Sequence, residues 1–306
     1  MKTIALQTLP SATGAAKRLA ARLELACDEI ALHRFPDGEL RITVAPAADT
    51  TILYAPLDHP NDKLIALLLA AEALRRGGAR RLVLVAPYLC YMRQDIAFHP
   101  GEAISQRATG RLLATLVDRV VTVDAHLHRT SDIRSVFPDI EAENLSAMPA
   151  IADALAAGGI DPATVVIGPD AESEPWVEDL AARLGLQHTV ARKTRHGDRS
   201  VDIDFADPIR LPGRPALMVD DIVSSGTTLI VAARALRAIG ATAVDAVVTH
   251  ALFPAAMIAA FTEAGIRSIR STDSVPHPTN AITLEETLAA ALWSELSTTH
   301  SLETTR

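Results

Sequence analysis

The sequence predicts an α/β fold of two domains, each a mostly parallel sheet flanked by helices. Three observations predict it. Short apolar runs alternate with amphipathic stretches through most of the chain, the rhythm of strand–helix–strand crossovers. Runs such as Ile52 to Tyr54 and Leu82 to Val85 are apolar throughout, as strands covered on both faces are. The chain has 306 residues and is 49% hydrophobic, enough for two ordinary cores.

In the first half, Ile4 to Leu6, Ala31 to Phe35, Ile52 to Tyr54, Leu82 to Val85 and Val120 to Val123 read as strands. Lys63 to Arg76 and Arg107 to Val117 carry apolar residues at helical spacing. Leu40 to Val44 alternates instead, as a hairpin strand with one wet face does. The second half repeats the rhythm. Strands are predicted over Thr164 to Ile167, Pro215 to Val219 and Ala243 to Thr249, and helices over Trp176 to Leu184, Thr228 to Ile239 and Ala255 to Ala264. No Pro/Gly/Ser-rich linker separates the halves. The boundary is placed near Glu141 to Leu145, giving domains 1–145 and 146–306, with no internal repeat visible at the residue level.

Composition narrows the function. Lys plus Arg number 29 against 37 Asp plus Glu, a net charge of -8, which argues against a nucleic-acid partner. The apolar stretch around Leu64 to Leu74 is too short and too interrupted by charge to span a bilayer, so no membrane association is expected. Thr3 to Leu9 reads as a first strand, not a signal peptide. Cys27 and Cys90 lie far apart, and a cytoplasmic protein without a disulfide is expected. Neither a Gly-x-x-x-x-Gly-Lys-Ser/Thr phosphate loop nor a Gly-x-Ser-x-Gly elbow is present.

The most informative run is Ala216 to Leu229. A short apolar strand ends in Asp220 and Asp221, passes Ile222 and Val223, and enters the turn Ser224-Ser225-Gly226-Thr227-Thr228 before an apolar helix. Such a turn at a helix N-terminus holds a phosphate through outward N–H groups, the helix dipole and hydroxyl donors. Carboxylates upstream would repel phosphate alone. They make sense for a ligand that also carries a diol, as a sugar phosphate does.

Val219 to Thr228 resembles the phosphoribosyl diphosphate (PRPP) fingerprint shared by type I phosphoribosyltransferases and ribose-phosphate diphosphokinases, the PRPP synthetases. Further segments, in order, are similar to the diphosphokinases. Phe35-Pro36-Asp37-Gly38-Glu39 offers an aromatic face, a Gly turn and two carboxylates; it also reads as a plain turn between strands. The resemblance assigns it to ATP, lent across a subunit interface. Arg93-Gln94-Asp95 follows a strand, where an Arg can fork onto polyphosphate, or form a solvated pair with Asp95. The resemblance gives these residues to the nucleotide as well. His126, after the strand ending at Val123, aligns with a ligand of the Mg²⁺ of MgATP. By chemistry alone it also reads as a capping or core histidine, and with His128 two residues on it lacks the further ligands of a zinc site. Asp170 aligns with a ligand of Mg²⁺ and ribose phosphate, in a run whose Glu172 and Glu174 equally suit a helix first turn. Lys193 and Arg195 match the Lys-x-Arg of the family's flexible catalytic loop, in a stretch that also reads as a basic hairpin tip.

The resemblance therefore implies two type I phosphoribosyltransferase-like domains. The first would bind ATP and drive assembly; the second would hold ribose 5-phosphate on Asp220, Asp221, Ser224, Ser225, Gly226, Thr227 and Thr228. It implies transfer of the β,γ-diphosphoryl group of MgATP to the 1-hydroxyl of ribose 5-phosphate, in a homo-oligomer (dimer or higher) with the ATP site at a subunit interface. Charge spreads over the transferring group, so Lys193 and Arg195 would lower the barrier electrostatically. Departures point to a divergent branch: Ser224 replaces a third acid, and Glu172-Ser173-Glu174 is more acidic than the glycines of many relatives. A catalytically silent regulatory paralogue and a phosphoribosyltransferase are the alternatives.

Overall fold

The computed structural model describes residues 3–127, 129–130, 132–196, 200–205 and 211–297, with the backbone alone for 192–196, 200–205 and 297. The chain forms two compact units.

The first unit contains β1 (Ile4–Thr8), α1 (Thr13–Arg22), β2 (Cys27–Glu29), β3 (Ala31–Arg34), β4 (Leu40–Thr43), β5 (Thr50–Tyr54) and α2 (Pro60–Arg76). It continues with β6 (Arg81–Ala86), α3 (Ser105–Leu116), β7 (Arg119–Val123) and β8 (Glu141–Leu145). The second unit contains α4 (Met148–Ala157), β9 (Val165–Gly168), α5 (Glu174–Leu184), β10 (Gln187–His196), β11 (Ser200–Phe205) and β12 (Ala216–Val223). Then follow α6 (Thr227–Ala238), β13 (Val244–Ala251), α7 (Met257–Glu263), β14 (Ile266–Thr272) and β15 (Asn280–Ile282). The last helix, α8 (Glu285–Ser297), returns to the first unit.

The first sheet runs β2-β1-β5-β6-β7-β8, all parallel, with β3 and β4 as a separate hairpin. The second runs β11-β10-β9-β12-β13-β14-β15, parallel except for the β10–β11 hairpin. The central strands β5 and β7 are buried at every position and β6 at all but its first, which is why they read as continuous apolar runs. The second core gathers Val165, Ile167, Met218, Leu229, Val248 and Phe261 among others.

The two halves share one topology. Numbered within its own half, each sheet has its first strand beside its second, then its later strands in chain order, with a hairpin following the second strand. Parallel strands require apolar content and not particular residues, so the duplication leaves no residue-level repeat. The helices that end each half are exchanged. α4 follows β8 yet packs on α5, while α8 follows β15 yet packs on α1. The 146–306 division therefore differs from the structure at α8, whose sequence position does not reveal which sheet it covers. The segment taken as a boundary, Glu141–Leu145, is the edge strand β8, paired from Arg119↔Glu141 to Val123↔Leu145. Its polar sequence suits an edge and hides a strand.

An ionic cluster ties α8 to the first sheet. Glu295, nearly buried, accepts two bonds from Arg81 (Nε and Nη2, each 2.8 Å) and one from Arg119 Nη1 (2.9 Å). Arg81 also forks onto Glu141, and Arg119 reaches Glu143 at 2.7 Å. Burial acts to raise the Glu295 carboxyl, but the two arginines overrule it and hold it below the usual range. Its contribution is thus present above the unfolded carboxylate pKa and fades as pH falls through the lower folded value. Glu295→Gln is expected to cost about 2–4 kcal/mol at neutral pH, since it leaves buried guanidinium donors partly unmatched. Urea unfolding should show this loss shrinking toward pH 3; a deficit independent of pH would indicate lost packing instead.

Candidate active site

The groups singled out in the sequence fall at or beyond the carboxyl ends of strands or on the two hairpins. Strand ends are where open parallel sheets place ligands, because the covering helices leave the faces dry.

In the second unit, β9 ends at Gly168. A side chain there would lie 2.4 Å from Ser173 Oγ and 2.8 Å from Val190 Cγ1, so glycine alone lets the chain turn. Asp170 follows, its Oδ1 accepting from Glu172 N at 3.2 Å and its carbonyl from Ser173 Oγ at 2.6 Å. It caps the single turn Ala171–Ser173 before α5, and Glu174 stands in the first turn of α5 itself.

The neighbouring strand β12 carries Asp220 and Asp221. Asp221 is buried, its Oδ1 accepting from Ile222 N at 2.8 Å, and Asp220 Oδ1 accepts from Asp221 N at 3.1 Å. Burial, then the negative charges of Asp221 and Asp170, push the half-buried Asp220 carboxyl well above the usual carboxylate range. Three carboxylates thus share one strand-end region. Hard carboxylate oxygens held against one another suit Mg²⁺, which would relieve the repulsion. Among the described residues, no group of three or more His, Cys, Asp or Glu is placed to enclose a metal.

Beyond Val223 the chain turns through Ser224 and Ser225, both exposed, to Gly226. Gly226 caps α6 with φ +73°, and a Cβ there would lie 2.5 Å from the Phe261 ring. Both the left-handed backbone and the close ring require glycine. No side chain bonds the cap of α6, and Ser225 Oγ meets Thr227 Oγ1 at 3.2 Å and Thr227 N at 3.4 Å. With Thr227 exposed and Thr228 half-buried, the first turn presents N–H groups and hydroxyls at one end of the helix, an anion seat.

Lys193 and Arg195 lie on β10, opposite Ile203 and Val201 of β11. The hairpin reading of this stretch describes its backbone; Gly197, Asp198 and Arg199 lie outside the described residues.

In the first unit, Phe35 to Glu39 form the tip of the β3–β4 hairpin. Phe35 N donates to Glu39 O and Gly38 N to Phe35 O, both at 2.9 Å, and Glu39 N donates to Asp37 Oδ1 at 3.1 Å. Phe35 is exposed, edge-on to His33 at 4.8 Å, with Arg41 over its ring at 5.9 Å. Asp37 and Glu39 are exposed too.

Arg93, Gln94 and Asp95 follow β6. Arg93 is exposed. Gln94 Nε2 donates to Glu102 at 3.3 Å, and the same Glu102 oxygen accepts from Phe98 N and His99 N, fixing the loop. Asp95 pairs with Arg129, through Nη1 at 2.8 Å and the backbone N at 3.2 Å. Burial acts to raise its carboxyl, but the Arg129 bonds and charge hold it below the usual range. Arg129 and Glu102 were missed in the sequence because nothing in their spacing marks them.

His126, half-buried, lies just past β7, behind Asp124, whose φ of +38° is unusual for a non-glycine residue. Asp124 N donates to Leu145 O and Ala125 N to Asn144 Oδ1, each at 2.8 Å, so the edge strand β8 sets this turn. His128 lies outside the described residues.

The model of the N-terminal domain of ribose phosphate pyrophosphokinase matches residues 4–116, and that of the phosphoribosyl transferase domain matches residues 142–255. A ribose-phosphate pyrophosphokinase of Methanopyrus kandleri is 32% identical over 278 residues, covering 90% of this chain and 94% of the relative. Ribose-phosphate pyrophosphokinase 2 of Archaeoglobus fulgidus is 32% identical over 280 residues, covering 92% and 97%. The crystal structure of phosphoribosylpyrophosphate synthetase from Mycobacterium smegmatis superposes with a TM-score of 0.85 at 24% identity, covering 97% of this chain and all of that one, and shares the fold. With two units of phosphoribosyltransferase type and relatives matched along almost their whole length, the chain belongs to the ribose-phosphate pyrophosphokinase family.

Proposed function

We propose that this chain transfers the β,γ-diphosphoryl group of MgATP to the 1-hydroxyl of ribose 5-phosphate, forming PRPP and AMP. The observation that carries the reading is the Asp220–Asp221 strand end running directly into the open N-terminus of α6. The exposed hydroxyls and N–H groups of Ser224 to Thr228 suit the 5-phosphate, and the carboxylates suit ribose hydroxyls. This reading leaves the 1-hydroxyl free to attack the β-phosphorus as the bond from that phosphorus to the α-phosphate oxygen breaks. The hydroxyl proton is lost and AMP departs.

ATP is assigned to Phe35, whose exposed ring suits adenine stacking, with Asp37, Glu39, Arg93 and Gln94; Asp95 holds Arg129 and orders the same loop. His126 and Asp170 are the assigned metal ligands, and bound Mg²⁺ would neutralise charge on the transferring phosphates. Lys193 and Arg195 are assigned to the charge that develops during transfer.

The reading includes a homo-oligomer with the Phe35 hairpin lent to a neighbouring copy. Leu32 and Phe35 on the hairpin, and Ile65 and Leu68 on α2, are exposed apolar groups that suit burial against another chain. A cytoplasmic location fits Cys27 and Cys90, both free thiols. No helix among the described residues is long and apolar enough to cross a membrane.

AMP release from ATP and ribose 5-phosphate, with no nucleobase present, is expected with Mg²⁺ and absent after chelation. A phosphoribosyltransferase or a silent paralogue would give none in either case. Lys193→Ala should lower kcat by on the order of 10²- to 10³-fold with little change in nucleotide KM. Equal losses in both would assign Lys193 to binding alone. Dilution below the assembly constant should abolish turnover as light scattering reports dissociation, whereas a fully active monomer would refute the shared hairpin.

A further inference from the structure

At the edge of the second sheet opposite the fingerprint lies a cavity of about 530 Å³, lined by Leu155, Gly158, Asp161, Leu217, Arg267 and Arg270 among others. It opens beside the amino ends of β9, β12, β13 and β14. From Leu217, at the cavity, β12 runs to Ser224 in the turn, roughly 23 Å at about 3.3 Å per residue. The cavity is therefore separate from the ribose-phosphate region.

Its two acids, Asp161 and Asp245, match its two arginines, Arg267 and Arg270, in number, but the four are not all paired. Asp245 is engaged by Arg267 (Nε to Oδ1, 3.1 Å) and by Ser268 Oγ at 2.7 Å, and Asp161 Oδ1 accepts from Ala163 N at 2.8 Å. Arg270 is left over. Its Nε is buried with no hydrogen-bond partner, and among the described residues Arg270 forms no ion pair. Buried donors on a permanent charge are rarely orphaned, so an acceptor from outside the chain is called for.

The duplicated fold shows what would answer it. In the first unit, the exchanged helix α8 brings Glu295 against Arg81 and Arg119. In the second, the exchanged helix α4 ends instead at Gly158-Gly159, and the Cβ direction of Gly158 points within 4.0 Å of Arg270 Nη1. No side chain of α4 supplies the carboxylate there, and a Cβ at Gly158 would also lie 3.3 Å from Ala154 O.

We propose that this cavity binds a small metabolite through a carboxylate or phosphate group seated on Arg270. The guanidinium edge offers a forked pair of N–H donors to such an oxyanion. Leu155 and Leu217 give the remainder of the ligand an apolar wall, and the volume lies in the range of small-molecule sites.

Calorimetric titration of the full chain, with inorganic phosphate in one arm and succinate in the other, tests this. Wild type is compared with Arg270→Leu, which removes the fork, and Gly158→Glu, which supplies the carboxylate internally. Wild type is expected to bind one of the two anions at a site that both variants lose or weaken by at least about tenfold. Phosphate alone would assign a phosphate-bearing ligand, and succinate alone a carboxylate-bearing one. Identical stoichiometry and affinity across the three proteins in both arms overturns the proposal. Should Arg270→Leu fail to fold, Gly158→Glu, with the arginine retained, decides it alone.

Discussion

The crowding of Asp220 by burial and by the charges of Asp221 and Asp170 is the constraint on which the candidate site in the second unit depends. Burial alone would neutralise one such group, and two more acids nearby push Asp220 further the same way. A chain selected for stability alone would not keep two acids at the end of β12 and a third beyond the neighbouring β9. A ligand that brings cations and hydroxyls resolves the conflict, and the open α6 terminus beside it asks for an anion. On the proposed reading, the two halves of the region meet a sugar phosphate, its phosphate at the turn and its hydroxyls at the carboxylates.

The framework that makes this crowding tolerable is ordinary. Parallel strands covered on both faces leave little access for a ligand along those faces, so binding groups gather at their ends. Two glycines permit the local geometry: Gly168, pressed by Ser173 and Val190, and Gly226, pressed by Phe261. Neither position tolerates a Cβ without movement of a packed neighbour. The same packing that stabilises the core therefore sets the two turns where ligands would sit.

The central strands were legible in the sequence because burial on both faces writes an unbroken apolar run, as in Leu82 to Val85. The fingerprint was legible because two acids before a hydroxyl-rich turn have no common structural reason. β8 was not, since Glu141-Ala142-Glu143-Asn144-Leu145 is an exposed edge whose hydrogen bonds, not its side chains, make it a strand. The exchange of α4 and α8 was invisible for a related reason. A helix's apolar stripe says that it covers something and not which sheet it covers. Arg129 was missed because its pairing with Asp95 spans 34 residues and depends on the placement of two loops.

Each half also projects a hairpin as a continuation of its second strand, and the two differ in how firmly they are attached. In the first unit the strand pauses at Ile30, buried and bonded to Thr8 O at 2.9 Å, before β3 leaves as a separate two-stranded sheet exposed along its length. In the second, β10 runs ten residues without a break and carries the hairpin on the main sheet. The two hairpins thus differ in chemistry, the first aromatic and acidic at Phe35 to Glu39, the second carrying the basic residues Lys193 and Arg195 on its strand β10. On the proposed reading the first meets a purine and the second meets phosphates, so a single structural motif, copied once, presents the two opposite chemistries that a nucleoside triphosphate requires.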